Sequence, residues 1–251
     1  MPGMLDDAAV LALWERAIGV PEAERGDALI AASGGGVPAG LGERNLSLIR
    51  LHGTLFGREL HLLSHCPACG AAVQFVGDSD ALAAQCQSSA LAATTLHRIE
   101  WGDHLIDFRV PLSRDVAEAA GAESAGESVS DAAEAFARRL LECCVVSCRH
   151  AEGTELAAAR LPAEALDAIS RRIEAIDPGA SIVFDVDCPD CSERWSASLD
   201  VAVVVWRKLQ RAAEAILLEI DALARAYGWS EREILGLGPL RRAAYLQMVA
   251  R

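Results

Sequence analysis

The sequence predicts an α+β fold in which two short β-hairpins, far apart along the chain, come together, with an α-rich insertion between them and helical segments at both ends. Three observations predict it. Two Cys-Pro-x-Cys turns, Cys66-Pro67-Ala68-Cys69 and Cys188-Pro189-Asp190-Cys191, each sit between short runs of alternating apolar and polar residues. Outside those runs the apolar residues recur mostly at helical spacing. The composition is 52% hydrophobic but only 5% aromatic, which favours helices that meet through small side chains.

The first segment, residues 1–56, reads as helices. Asp6 to Gly19 carries Val10, Leu11, Leu13, Trp14 and Ile18 at helical spacing. Pro21 suits the first turn of a second helix that runs to Ala32. Ser33-Gly34-Gly35-Gly36 with Pro38 interrupts the chain, and Leu41 to Phe56 resumes the helical pattern. The period then changes to two. Arg58 to His65 is strand-like, the first cysteine turn follows with Gly70 behind it, and Ala71 to Val76 alternates Val73 and Phe75. A second unit of the same kind recurs downstream, where Ser181 to Asp187 alternates Ile182, Phe184 and Val186 before the second turn. Arg194 to Val201 then leads away as its return strand. Residues 57–80 and 181–202 are therefore expected to form one β unit.

Residues 81–180 are the insertion. Thr94 to Val110 predicts a hairpin turning at Trp101-Gly102-Asp103-His104. Gly121 to Ser130 is small and polar, as in a loop, and Asp131 to Val146 and Leu161 to Ile176 are helical, the second opened by Pro162. Residues 203–251 are expected to be helical. Trp206, Ala213, Ile220 and Tyr227 lie seven apart with Leu209, Ile216 and Leu223 between them, a seam suited to docking in a bundle or on a partner. Gly228 suits the end of that helix. Ser230 and Glu233 form an S-x-x-E capping box, and Pro239 begins a last helix.

Acids outnumber bases 36 to 23, for a formal charge of −13. Binding to DNA or to an anionic membrane takes clustered Lys and Arg, and the bases are scattered except for small clusters such as Arg138-Arg139, Arg171-Arg172 and Arg241-Arg242. No nucleic-acid or membrane partner is expected, and a protein partner is. Met1 to Asp7 shows no basic region followed by an apolar run, and the apolar stretch from Val201 to Trp206 is far shorter than the roughly 20 residues a bilayer requires. A cytoplasmic location is the expectation. In that reducing compartment the eight cysteines are thiols or metal ligands rather than disulfides.

Four cysteine thiolates in a tetrahedron are a preferred shell for structural zinc. Cys66, Cys69, Cys188 and Cys191 are the expected ligands of one structural Zn²⁺, in a zinc-ribbon-like β core. Cys188 lies 119 positions after Cys69, outside the usual finger spacing, but the likeness of the flanking strands lets two hairpins close face to face. Two alternatives stand beside this. The turns are a redox pair, although thioredoxin-like proteins place CxxC at a helix N-terminus, or they are turns that have lost their metal. One departure separates the copies: Gly70 follows the first pair and Ser192 the second. Cys86, Cys143, Cys144 and Cys148 read as buried small residues, with a rival site of Cys143 or Cys144, Cys148 and His150. No GxSxG, Walker loop or strand-following GxGxxG is present. With its shell filled by thiolates, the metal has no open position for water. Neither enzymatic activity nor a small-molecule substrate is expected.

The tail Glu219 to Leu235, containing Tyr227-Gly228-Trp229-Ser230 and Glu233-Ile234-Leu235, is followed by Arg241-Arg242 and Tyr245-Leu246. It resembles the T4-type baseplate (hub assembly) protein family of contractile phage tails and phage-tail-like contractile injection systems. The likeness extends to the two CPxC turns and to the apolar segment around Trp206, and is fullest over residues 182–251. The resemblance implies a non-enzymatic role in building the baseplate, as chaperone or minor component, with baseplate, hub or tail proteins as partners. Trp229, Arg241, Arg242 and Tyr245 are the candidate partner-binding residues, because aromatics and arginine are favoured at interface centres. The other reading of the tail is that Tyr227, Trp229 and Tyr245 cap a helical bundle. Two further functions stay open: a cytosolic zinc-ribbon adaptor in transcription or another complex, which needs a basic face beside the metal, and a thiol oxidoreductase, which needs an exposed cysteine of low pKa.

Overall fold

The structure, a computed structural model, describes residues 6–36, 38, 40–87, 95–120 and 129–249. The chain opens with helices α1 (Asp7–Ile18), α2 (Glu22–Ala32) and α3 (Leu41–Phe56), then strands β1 (Glu59–His65) and β2 (Ala72–Asp78) and helix α4 (Ser79–Gln85). The insertion holds β3 (His97–Trp101), β4 (His104–Phe108), α5 (Ser113–Ala120), α6 (Val129–Cys144), β5 (Val145–His150) and α7 (Ala163–Ile176). Strands β6 (Val183–Asp187) and β7 (Arg194–Ser198) lead into α8 (Val201–Tyr227), α9 (Glu231–Leu235) and α10 (Pro239–Val249). The fold is a mixed α+β one with small antiparallel sheets. Among the described residues no helix is long and apolar enough to cross a membrane.

Local chemistry sets the helix ends. The Asp6 carboxylate accepts the Ala9 N–H at 2.8 Å, and Asp200 accepts that of Val203 at 3.0 Å. Gly228 closes α8 at φ 71°, where its N–H returns to the Ala224 carbonyl. Ser230 and Glu233 form the expected capping box at the start of α9.

The largest apolar core is helical. Val205, Trp206, Leu209, Ala213 and Ile216 of α8 are buried with Leu11 and Leu13 of α1, Leu29 and Ile30 of α2, and Leu48 and Ile49 of α3. The predicted seam is thus filled from within the chain, and small residues such as Ala17 and Ala213 let these helices approach closely. Leu60 and Leu62 of β1 reach into the same core and fix the first hairpin to it.

The insertion has a second core, in which Ile106, Phe108 and Cys148 of the three-stranded sheet β3-β4-β5 pack on Leu166, Ile169 and Ile173 of α7. Here the structure departs from the sequence reading. The helix expected from Asp131 to Val146 stops at Cys144, and Val145 and Val146 enter β5, where β4 offers a strand edge (Phe108 opposite Val145, Ile106 opposite Cys148). Short helices α4 and α5 were not expected; Asp78 caps the first by accepting from Asp80 and Ala81. The hairpin expected from Thr94 starts at His97. Thr94, and residues 121–128 of the expected loop, lie outside the described residues.

Polar bonds across the chain return it to the first hairpin. The Gly42 N–H donates to Asp177 at 3.3 Å and the Asn45 amide to the Gly179 carbonyl at 2.9 Å. These contacts hold the approach to β6 against α3, whose C-terminal end leads into β1.

Candidate metal centre

Each cysteine turn is a tight knuckle joining two antiparallel strands. In the first hairpin Leu62 pairs with Phe75 and His65 with Ala72; in the second Val186 pairs with Trp195 and Asp187 with Arg194. The knuckles share one hydrogen-bond pattern. The Cys66 N–H donates to the Ala71 carbonyl at 2.9 Å, and the Gly70 N–H donates back to the Cys66 carbonyl at 2.9 Å. In the second copy the Cys188 N–H donates to Glu193 at 2.8 Å, and Ser192 donates to the Cys188 carbonyl at 3.0 Å. The pattern drives the fifth residue, just after the second cysteine, into the left-handed region, φ 75° at Gly70 and 62° at Ser192. Ser192 is the only described non-glycine residue there. The departure noted in the sequence thus leaves the backbone shape intact, at the strain a Cβ incurs in that region.

The hairpins do not pair strand to strand; they meet through side chains. Val73 and Val186 are buried between them beside Cys66 and Cys188, and the Phe75 and Phe184 rings lie 5.4 Å apart. A Cβ on Gly77 would come within 3.2 Å of the Phe184 ring, so the absence of a side chain there permits the approach. The Trp195 indole N–H reaches the Ser64 hydroxyl at 3.3 Å.

This packing brings all four knuckle sulfurs together, within 4.8 Å of one another. The closest approaches cross between knuckles, with Cys66 Sγ 3.6 Å from Cys191 Sγ and Cys69 Sγ 3.6 Å from Cys188 Sγ. A tetrahedron with metal–sulfur bonds of about 2.3 Å has edges of about 3.8 Å, so the cluster is close to that shape before any ion is placed. Cys66 and Cys188 are buried and Cys69 and Cys191 exposed, and all four are free thiols.

The knuckle thiols perturb one another. Burial raises the Cys66 thiol, but the N–H groups of Cys69 and Ala68 and the thiols of Cys191 and Cys69 outweigh it and bring Cys66 down to about 7. The Glu193 N–H favours the Cys191 thiolate, yet the neighbouring sulfurs and burial push Cys191 up to about 12. The Ala71 N–H and the Cys191 thiol favour the Cys69 thiolate, yet burial and the Cys188 and Cys66 thiols leave it raised. A positive ion in their midst would favour the thiolate form of these sulfurs.

The remaining cysteines sit elsewhere. Cys86 lies in the helical core, and Cys144 and Cys148 lie in the core of the insertion. Burial, reinforced by Asp115, pushes the Cys144 thiol up to about 12. Among the described residues they form no second metal-competent group with His150.

The C-terminal candidates are used largely within the molecule. Trp229 stacks on Tyr227 at 4.6 Å and meets Tyr245 edge-on at 4.9 Å. Arg242 pairs with Asp7 and, at 3.0 Å, with Glu219, joining α10 to α1 and α8. Arg241 is exposed. Sequence reasoning missed a different cluster: Arg207, Lys208 and Arg211, close to one another near the start of α8, line a groove beside the first knuckle. The adjacent pair Arg207-Lys208 with Arg211 one helical turn on was the available signal.

Family models, curated proteins and solved structures give no match to this chain.

Proposed function

We propose that Cys66, Cys69, Cys188 and Cys191 hold one structural Zn²⁺ in a zinc-ribbon-like unit, and that the chain is a non-enzymatic assembly protein of a phage-like contractile injection system. The convergence of four sulfurs from two knuckles 119 positions apart carries the metal assignment. Thiolate donors favour zinc over hard cations such as magnesium or calcium. Bound there, the ion supplies the positive charge that lets all four sulfurs ionise and ties the hairpins together. The backbone N–H groups of Ala68, Cys69, Ala71 and Glu193 steady the sulfur charge. Ser64 and Trp195 lock the hairpins from the side.

The protein chemistry favours a structural over a redox role. The knuckle thiol with the lowered pKa, Cys66, is 2% exposed, while exposed Cys191 is pushed to about 12. An oxidoreductase needs its reactive thiolate accessible. The place in an injection system rests on the C-terminal resemblance over residues 182–251 and on the CPxC turns. Affinity-tagged chain purified from its producing cell is expected to bring down sheath, tube, hub or baseplate proteins; their absence from the eluate overturns the assignment. The adaptor reading has one observation in its favour, the basic cluster of Arg207, Lys208 and Arg211 beside the knuckle, and predicts a mobility shift of DNA or RNA at low salt.

A further inference from the structure

Between the outer face of the β1–β2 hairpin and the junction of β7 with α8 runs a groove of about 1270 Å³. One side is apolar, with Leu63 and Val76 58% and 59% exposed. The other is cationic, formed by Arg207, Lys208 and Arg211 of α8. Among the described residues that line it the one acid is Asp200, whose carboxylate is engaged in capping the Val203 N–H. In a chain of net charge −13, this is a local reversal of sign.

The cations are placed for a ligand. Arg207 and Arg211 are exposed, one helical turn apart, and neither has an ion-pair partner among the described residues. Lys208 is anchored from below: its ammonium donates to His52 Nε2 at 3.1 Å and lies 5.1 Å from the centre of the Phe56 ring. His52 is wholly buried and, brought to about 4 chiefly by that burial and also by the Lys208 charge, stays neutral. It therefore positions the ammonium without cancelling its charge. Burial lowers the Lys208 pKa, with Glu59 opposing, so an arriving anion relieves part of the cost of holding a cation there.

The shape selects an extended chain. Successive residues from His61 to His65 and from Trp195 to Asp200 line the groove, so it follows strand edges as well as one sheet face. Each hairpin is a separate two-stranded sheet, so among the described residues its outer edges have no strand neighbour, the arrangement that strand addition exploits. An extended segment alternates its side chains with a period of two.

We propose that this groove binds an extended acidic segment of a protein partner, its alternate apolar side chains on Leu63 and Val76 and its carboxylates facing Arg207, Lys208 and Arg211. A long polyanion is disfavoured because its remaining charge would meet the negative surface of the rest of the chain. The inference rests on reading the chain as a binding protein; it does not depend on which assembly the partner belongs to.

Fluorescence anisotropy of a labelled ten-residue peptide alternating glutamate and valine, titrated with the full metal-loaded chain, tests it. Binding is expected to weaken at least tenfold in the R207E/R211E double variant and to vanish when the glutamates of the peptide are replaced by lysine. Both arginines are exposed, and an unchanged circular dichroism spectrum with unchanged metal content checks that the variant folds. The proposal is overturned if wild-type protein does not bind the peptide, if the double variant binds it equally well, or if a ten-nucleotide oligothymidylate binds the groove more tightly. Recovery of tail proteins without groove-dependent peptide binding rejects this inference alone. Groove-dependent binding without recovered tail proteins rejects only the assembly assignment.

Discussion

Stripping the metal from the folded chain tests the architecture most directly. The ion would clip together two points 119 positions apart, so its loss frees a long loop in the unfolded ensemble. In the chain-entropy treatment of a cross-link, closing a loop of that length is worth about 5 kcal/mol. A domain is stable by roughly 5–15 kcal/mol, so removal consumes a large share of the margin. The packing of Val73, Phe75, Phe184 and Val186 between the hairpins remains, but it forms only in the folded state and leaves the unfolded chain unrestrained. The assay is urea unfolding followed by far-ultraviolet circular dichroism, with and without strong chelator, alongside metal content by mass spectrometry. One zinc per chain and a large drop in the urea midpoint after chelation are expected, and the Cys69→Ser variant should reproduce the drop. A midpoint that does not move when bound metal is shown to have left refutes the reasoning, as does purified protein that never contained metal.

Three further outcomes are expected. Ser192→Gly should stabilise the chain by about 0.5–1 kcal/mol by relieving the Cβ strain at φ 62°, measured as a rise in melting temperature with metal content unchanged; a fall would show that the serine side chain makes a compensating interaction. His52 has its folded pKa lowered to about 4 from 6.5, so between those values the unfolded chain holds the extra proton. Stability should therefore fall as pH drops from 6.5 toward 4 and level off below, by up to about 3 kcal/mol from this group. His52→Gln should flatten that part of the profile, and an identical profile in the variant would rule out His52 as its source. Alkylation followed by peptide mass spectrometry should leave buried Cys144, with its thiol at about 12, unmodified in the native protein. Cys69 and Cys191, although exposed, should react only after chelation; rapid labelling of both in metal-loaded protein would contradict thiolate ligation.

The sequence was most informative where a local chemical constraint decides the backbone. Leu41 to Phe56, the end of α8 at Gly228 and the Ser230–Glu233 capping box follow from periodicity, left-handed permissiveness and N–H satisfaction, each a matter of a few neighbouring residues. The knuckles were legible for the same reason, since Cys-Pro-x-Cys between alternating runs specifies its own turn. Val145 and Val146 continue the helical pattern in sequence, because nothing near them announces β4, the strand edge that captures them. Short helices such as α4 escaped because a single capped turn leaves little periodic signal.

What the sequence determined by itself is therefore the set of pieces: two matching knuckles, an amphipathic final helix, and donors of the kind zinc prefers. Tertiary structure alone decided their relation. It brought sulfurs 119 positions apart to 3.6 Å, turned the predicted seam of α8 inward onto α1, α2 and α3, and spent Arg242 and Trp229 on internal contacts. It also set the cations of α8 against the first hairpin. The physical reason is range: turns and caps depend on interactions within a few residues, whereas which apolar face meets which, and which charge is left without a partner, is settled only when distant segments compete for the same core.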